Sequence, residues 1–235
     1  MTAIVVGCGG IGGWLATCLV RMLGEGDGLV LVDGDTFEEK NMDRQLGCDV
    51  GTAKVRALRM ALMKGKPKVK ITAIQGYLGS DVVAKHLDAV MPGSEESTEV
   101  IFCGVDNHRA RLECLKLADE KAAMAVICAN EYTDAEAYVY FPTWQGTGLD
   151  PRIFYPEILT DKSDNPLAPP CTGEVLESSP QLALANMSAA NYGLWLWYFW
   201  TFKSQEITDM DTRDRCLTRV GSSVGRFTQV MVGDA

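Results

Sequence analysis

Histidine is scarce in this chain of 235 residues: only His86 and His108 occur. A Ser-His-Asp or Cys-His catalytic set therefore has little material. The 8 cysteines, Cys8, Cys18, Cys48, Cys103, Cys114, Cys128, Cys171 and Cys216, form no Cys-x-x-Cys pair. Neither a zinc site nor a disulfide framework is supported, and reduced, mostly buried thiols in a cytoplasmic protein are expected instead. Excess positive charge is also missing. Against 31 Asp and Glu stand 22 Lys and Arg, a formal net charge of −9, which argues against nucleic acid as a partner because that footprint is basic. No basic segment precedes the first apolar run, Ala3–Val6, so no secretory leader is expected. Internal repeats and low-complexity segments are lacking as well.

Long apolar runs are nearly absent too. The uncharged stretch Leu182–Phe202 has the length to cross a bilayer, which takes about 20 residues. It carries Asn186, Ser188, Asn191 and Gly193 and lacks a flanking basic cluster, so it reads as a helix buried in a core or a dimer interface, with no membrane partner.

What remains is ordinary globular material, 47% hydrophobic and 23% charged, enough for one domain with a full core. Ala3–Val6 and Leu29–Asp33 read as strands around a helix at Ile11–Leu23, a βαβ unit with a glycine-rich first turn. Helices at Thr52–Lys64, Asp81–Val90 and Arg109–Lys121 alternate with strands at Lys70–Tyr77, Glu99–Val105 and Ala123–Asn130. That alternation predicts an α/β fold, a doubly wound, Rossmann-like, mostly parallel sheet. Ala135–Phe141 reads as a further strand, and Pro142–Pro180 as a long irregular excursion dense in Pro, Gly, Asp and Thr. Ser179-Pro180 has the form of an N-cap and first-turn proline, starting a long apolar helix to Lys203. A last strand is expected at Arg226–Val232.

The chemistry-bearing residues form an ordered series. Gly7, Gly9, Gly10 and Gly12 allow a tight turn and close approach of backbone to phosphate at a helix N-terminus, a motif that dehydrogenases and flavoproteins share. Asp33 is placed either to hydrogen-bond ribose hydroxyls or to finish a strand-end turn. Asp35 suits the following turn as well as a ligand. Arg44 and Lys54 suit phosphate oxygens, although taken singly each has the ordinary fate of a solvated cation. Asp106, with Asn107 beside it, either caps the next helix or offers a hard oxygen to Mg²⁺ at the carboxyl edge of the sheet. Together the set reads as an ATP site.

The run Asp33-Gly34-Asp35-Thr36-Phe37-Glu38-Glu39-Lys40-Asn41-Met42-Asp43-Arg44-Gln45 resembles the D-x-D-x-V-x-x-x-N-x-x-R-Q signature of the ThiF/MoeB superfamily, bacterial relatives of ubiquitin-activating enzymes. Gly51–Lys54 and Asp106–Arg111 occur in that family's order. The resemblance covers residues 3–130 strongly. It implies Mg-ATP as co-substrate, adenylation of the C-terminal carboxylate of a small ubiquitin-like or sulfur-carrier protein, and a homodimer. It places Asp33 on the ribose, Asn41, Arg44 and Lys54 around the phosphates with Gln45 beside them, and Asp106 on magnesium. Residues 1–130 would form the nucleotide-binding core of a single adenylation domain, and residues 131–235 a crossover loop, an interface helix and a few extra strands. Pro169-Pro170-Cys171-Thr172, with Ser179-Pro180-Gln181 and Asn186, is similar to compact stand-alone ThiF-like proteins of mobile-element operons such as the PRTRC type. There Cys171 is the candidate thioester nucleophile, against the plainer reading of a loop cysteine without a role. Two other readings compete: an NAD(P)-dependent oxidoreductase, which leaves Arg44, Lys54 and Asp106 without a job, and a silent nucleotide-binding scaffold that docks a ubiquitin-like protein.

Overall fold

The computed structural model describes residues 1–41, 45, 50–65, 67–91, 98–130, 134–160, 183–204, 217–223 and 226–231. Eight strands make one sheet in the order β3-β2-β1-β4-β5-β6-β7-β8. β1 (Thr2–Val6), β2 (Gly28–Asp33), β3 (Lys70–Gln75), β4 (Glu99–Cys103) and β5 (Met124–Asn130) pair in parallel. β6 (Ala135–Tyr140), β7 (Leu217–Ser223) and β8 (Arg226–Met231) extend it antiparallel. Val6 lies opposite both Val32 and Cys103, so β1, β2 and β4 end level with one another. Strand order reverses at β1, and the crevice beyond such a switch point is where open α/β sheets bind ligands.

Helices cover both faces because the parallel strands are apolar on both. Ala3, Val5, Leu29, Leu31, Val100 and Phe102 pack with α1 (Gly10–Met22), α2 (Lys54–Met63) and α7 (Ala183–Tyr198). Ile4, Val30, Val32 and Ile101 face α3 (Asp81–Val90) and α4 (His108–Lys121). Such strands read as continuous Val/Ile/Leu runs, each fully buried side chain contributing about 1.5–3 kcal/mol. α7 lies against α1, β5 and β6, and its Trp197, 1% exposed, meets Phe102 edge-on at 5.8 Å. Among the described residues no helix is long and apolar enough to cross a membrane.

Two expectations need correction. Between Pro142 and Thr160 the chain is not irregular: it forms a 3-10 turn at Pro142–Trp144 and two short helices, α5 (Pro151–Phe154) and α6 (Glu157–Thr160). Each is too short to show a 3.6-residue period, and α5 is started locally by Asp150, whose carboxylate accepts from the Arg152 N–H at 3.0 Å. β7 was also unforeseen, since Leu-Thr-Arg-Val-Gly-Ser-Ser has no apolar alternation and gains its order by pairing with β6. The expected apolar helix is described from Ala183 as α7, which continues as a π-helical turn at Phe199–Lys203; its expected start at Ser179-Pro180 lies outside the described residues.

Candidate nucleotide site

The glycine turn leaves β1 and enters α1 with backbone alone. Gly7 sits at φ +84°, and a Cβ on Gly12 would stand 1.7 Å from the Gly7 carbonyl oxygen, so neither position admits a side chain. At Gly9 no side chain caps α1. The first amides of a 13-residue helix thus face the crevice with the positive end of its dipole, a ready seat for phosphate.

Asp33, at the end of β2, is 9% exposed and fixed by two amides, Cys8 N–H at 2.6 Å and Asp35 N–H at 2.8 Å. Burial raises its pKa above the ordinary carboxylate value, against the pull of Lys54 and the two amides. Beyond it the chain doubles back. Phe37 N–H donates to the Thr52 carbonyl and Lys54 N–H to the Asp35 carbonyl, which stands Lys54 beside Asp35. The Lys54 ammonium then donates to Asp35 Oδ2 at 2.8 Å. Lys54 is only 8% exposed. Burial works against its charge, but Asp33, Asp35 and Asp106 outweigh burial and lift its pKa above the usual lysine value.

Tyr77, after β3, completes this corner. Its hydroxyl donates to Asp35 Oδ1 at 2.6 Å, and its ring lies within 2.5 Å of where a Gly34 Cβ would be. The sequence carried one signal for it, an aromatic residue closing the expected strand Lys70–Tyr77 at the same sheet edge. Asn41 is 4% exposed and spends its side-chain oxygen on the Glu38 N–H at 3.0 Å, stabilising the turn after Asp35. Asp106 is exposed beyond β4, while Asn107, not Asp106, caps α4 by accepting from Ala110 N–H at 2.8 Å.

Two carboxamides cover the glycine turn. Gln45 Nε2 lies 3.5 Å from the Cβ position of Gly9, and the Asn186 side chain of α7 lies 2.5 Å from that of Gly10. Gln45 Oε1 and Asn186 Nδ2 are buried without a hydrogen-bond partner among the described residues. Asn186 Nδ2, a donor, fits a phosphate oxygen, whereas Gln45 Oε1 is an acceptor and calls for a hydroxyl or N–H donor. Among the described residues no three His, Cys, Asp or Glu side chains group as a metal site. Mg²⁺ typically takes one or two carboxylates and completes its shell with phosphate oxygens and water, and Asp106 offers one exposed carboxylate beyond β4. Arg44 and Cys171 lie outside the described residues. Cys8, Cys103 and Cys128 are buried free thiols, as expected of residues in or beside core strands, and Cys114 in α4 is buried and free as well.

A family model described as the ThiF family matches residues 1–187. Among solved structures, E. coli MccB with ATP is similar at TM-score 0.63 and 16% identity, over 98% of this chain and 63% of that one. MccB with AMPCPP and MccA is similar at 0.64 and 16%, over the same shares. PaaA is similar at 0.60 and 18%, over 98% and 72%. The chain therefore spans 63% of the length of MccB. At these identities the likeness is one of fold. No curated protein sequence matches.

Proposed function

The chain belongs to the ThiF family, and on that premise we propose that it uses ATP to adenylate the C-terminal carboxylate of a peptide or small protein, of the ubiquitin-like or sulfur-carrier kind. The observation that carries the reading is Lys54: a lysine buried beside Asp35, in electrostatic reach of Asp33 and Asp106, next to an uncapped helix N-terminus. Dinucleotide binding alone asks for no such group. MccB, a structural neighbour, is known with ATP and with MccA, and this lends ATP and a peptide acceptor support.

In this reading Asp33 holds the ribose hydroxyls, and the α1 amides and Lys54 hold the phosphate oxygens, with Gln45 and Asn41 fixing the turn around them. Arg44 joins them as the resemblance implies. Asp106 would hold Mg²⁺, which when bound offsets phosphate charge. A carboxylate oxygen of the substrate attacks the α-phosphorus, the bond to the bridging oxygen of pyrophosphate breaks, and pyrophosphate leaves. Catalysis is then chiefly positioning and charge stabilisation, with little acid-base work. Cys171 enters as the acyl acceptor: its thiolate attacks the adenylate carbonyl, a thioester forms and AMP departs.

We place the reaction in the cytoplasm, in keeping with buried, free thiols. The assembly we propose is a homodimer. Leu184, Met187, Trp195 and Phe202 are 69%, 42%, 61% and 46% exposed, and their spacing puts them on one side of α7 and its π turn, more apolar surface than a solvated helix face calls for. Nucleotide choice tests the whole reading. Calorimetric titration should show Mg-ATP binding that weakens strongly in Lys54→Ala. NADH binding with indifference to ATP would overturn it in favour of an oxidoreductase.

A further inference from the structure

Asp35 is the junction of the nucleotide corner. Its N–H donates to Asp33 Oδ1 at 2.8 Å, and its carbonyl accepts from the Lys54 N–H at 2.9 Å. Its carboxylate is divided between two side chains: Oδ2 accepts from the Lys54 ammonium at 2.8 Å and Oδ1 from the Tyr77 hydroxyl at 2.6 Å. The Asp35 side chain is nonetheless 46% exposed, and holding a half-exposed ion pair in one geometry costs side-chain entropy.

Tyr77 is well placed to hold it. Its carbonyl accepts from both the N–H and the hydroxyl of Ser80, at 3.1 and 2.7 Å. The neighbouring Gly76 N–H donates to the Asp33 carbonyl at 3.1 Å, and the hydroxyl end of the ring lies so near Gly34 that a Cβ there would stand 2.5 Å from Cζ. The phenol is thus fixed both by its own backbone and by the turn after β2. The hydrogen bond to Asp35 lifts the Tyr77 pKa above the usual phenol value, so the hydroxyl keeps its proton and stays a donor.

Lys54 is the group that needs such an anchor. Its ammonium carries three donors at the end of a flexible four-carbon stem, and Asp33, Asp35 and Asp106 all draw on its charge. A phosphate can use it only if those carboxylates neither scatter it nor occupy every donor. Because Asp35 Oδ1 is given to Tyr77, only Oδ2 engages the ammonium, and among the described residues its other donors are uncommitted.

We propose that Tyr77 is a positioning residue for nucleotidyl transfer: its hydroxyl locks the Asp35 carboxylate, and the locked carboxylate holds the Lys54 ammonium in one place with donors to spare for phosphate. The inference rests on the adenylation reading and adds to it a residue from the end of β3, outside the glycine turn and the run from Asp33 to Gln45. Tyr77 acts through Asp35 and Lys54 and touches neither the phosphates nor the reacting carboxylate.

The test titrates the full chain with Mg-AMPCPP and, separately, with adenosine, which has no phosphate. Tyr77→Phe keeps the ring beside Gly34 and removes only the hydroxyl. It should weaken Mg-AMPCPP about tenfold while adenosine affinity stays within about twofold. In a Lys54→Met background the same substitution should change Mg-AMPCPP affinity by less than about twofold, because the group it acts through is gone. A parallel loss for adenosine, a loss of similar size in the Lys54→Met background, or no loss at all would overturn the proposal. NMR of isotopically labelled lysine ammonium groups reads the same link without nucleotide, the Lys54 signal being identified by its absence from Lys54→Arg. That signal should shift in Tyr77→Phe, and an unmoved one would overturn the proposal as well. Failure of the parent to bind Mg-AMPCPP would instead overturn the adenylation reading, with the Lys54 signal still deciding whether Tyr77 acts on it.

Discussion

The two halves of the sheet treat their polar groups differently. At the ends of β1 and β2 the charges are spent on one another: Asp33 on two amides, Lys54 on Asp35, Tyr77 on Asp35. Around β6 and α7, Tyr138 Oη, Arg111 Nε and Trp197 Nε1 are buried without partners among the described residues, as only Gln45 Oε1 and Asn186 Nδ2 are at the glycine turn, and α7 leaves Leu184 and Trp195 exposed. In the proposed reading the first region holds the nucleotide, and the exposed apolar side of α7 is where a partner would bind.

The sharpest break of this contrast is Gly12→Ala. Its Cβ would stand 1.7 Å from the Gly7 carbonyl oxygen, so the glycine turn must shift. Denaturant unfolding should show a loss of about 4 kcal/mol or more, together with loss of ATP binding. Near-parental stability would mean the turn is looser than the geometry requires.

Lys54→Met comes next. The side chain is buried rather than lining an open cleft as a free cation, so an isosteric apolar replacement removes its charge without opening a void. Nucleotidyl transfer should fall about 100-fold or more. Stability should fall, since Asp33, 9% exposed, loses the cation that counters its burial. An unchanged rate would remove Lys54 from the chemistry.

On the second region, Trp195→Glu places a charge in the exposed face of α7. Light scattering should show the dimer becoming a monomer, with little change in melting temperature because Trp195 is 61% exposed. A parent protein that is monomeric at all concentrations would contradict the dimer.

The smallest expected effect is a pH dependence at Asp150, beside α5. Burial opposes its charge, but Arg152 and the Gly146 and Arg152 amides prevail and hold its pKa below 3.8. A carboxylate depressed in the folded state contributes stability that is present above its unfolded pKa and lost as pH falls through the folded one. The stability gap between the parent and Asp150→Asn should therefore close as pH drops below 3.8; a gap that widens in acid would reverse the assignment.

The contrast also governs what the sequence revealed. Strands buried on both faces announce themselves as Val/Ile/Leu runs, and turn residues and carboxylates mark their ends, so β1 to β5 and the positions of Asp33 at the end of β2 and Asp106 just beyond β4 were legible. Asp81–Val90 matches α3 residue for residue. Tyr77 was not legible as a site residue because its role depends on a turn that brings it back over Gly34 and Asp35, 42 residues earlier in the chain. The pairing of Lys54 with Asp35 was hidden for the same reason: it follows from the bridge between Thr36 and Ala53. Tyr138 and Arg111 read as a strand aromatic and a helix cation, and only the tertiary packing leaves Tyr138 Oη and Arg111 Nε buried without partners among the described residues.

The most direct test of the central claim is exchange of labelled pyrophosphate into ATP, with free-acid dipeptides and their C-terminal amides supplied in parallel. Adenylation of a carboxylate predicts exchange with at least one free acid, none with any amide, and loss of the signal in Lys54→Met. Exchange that ignores the carboxylate, or release of ADP and phosphate in place of AMP and pyrophosphate, would contradict it.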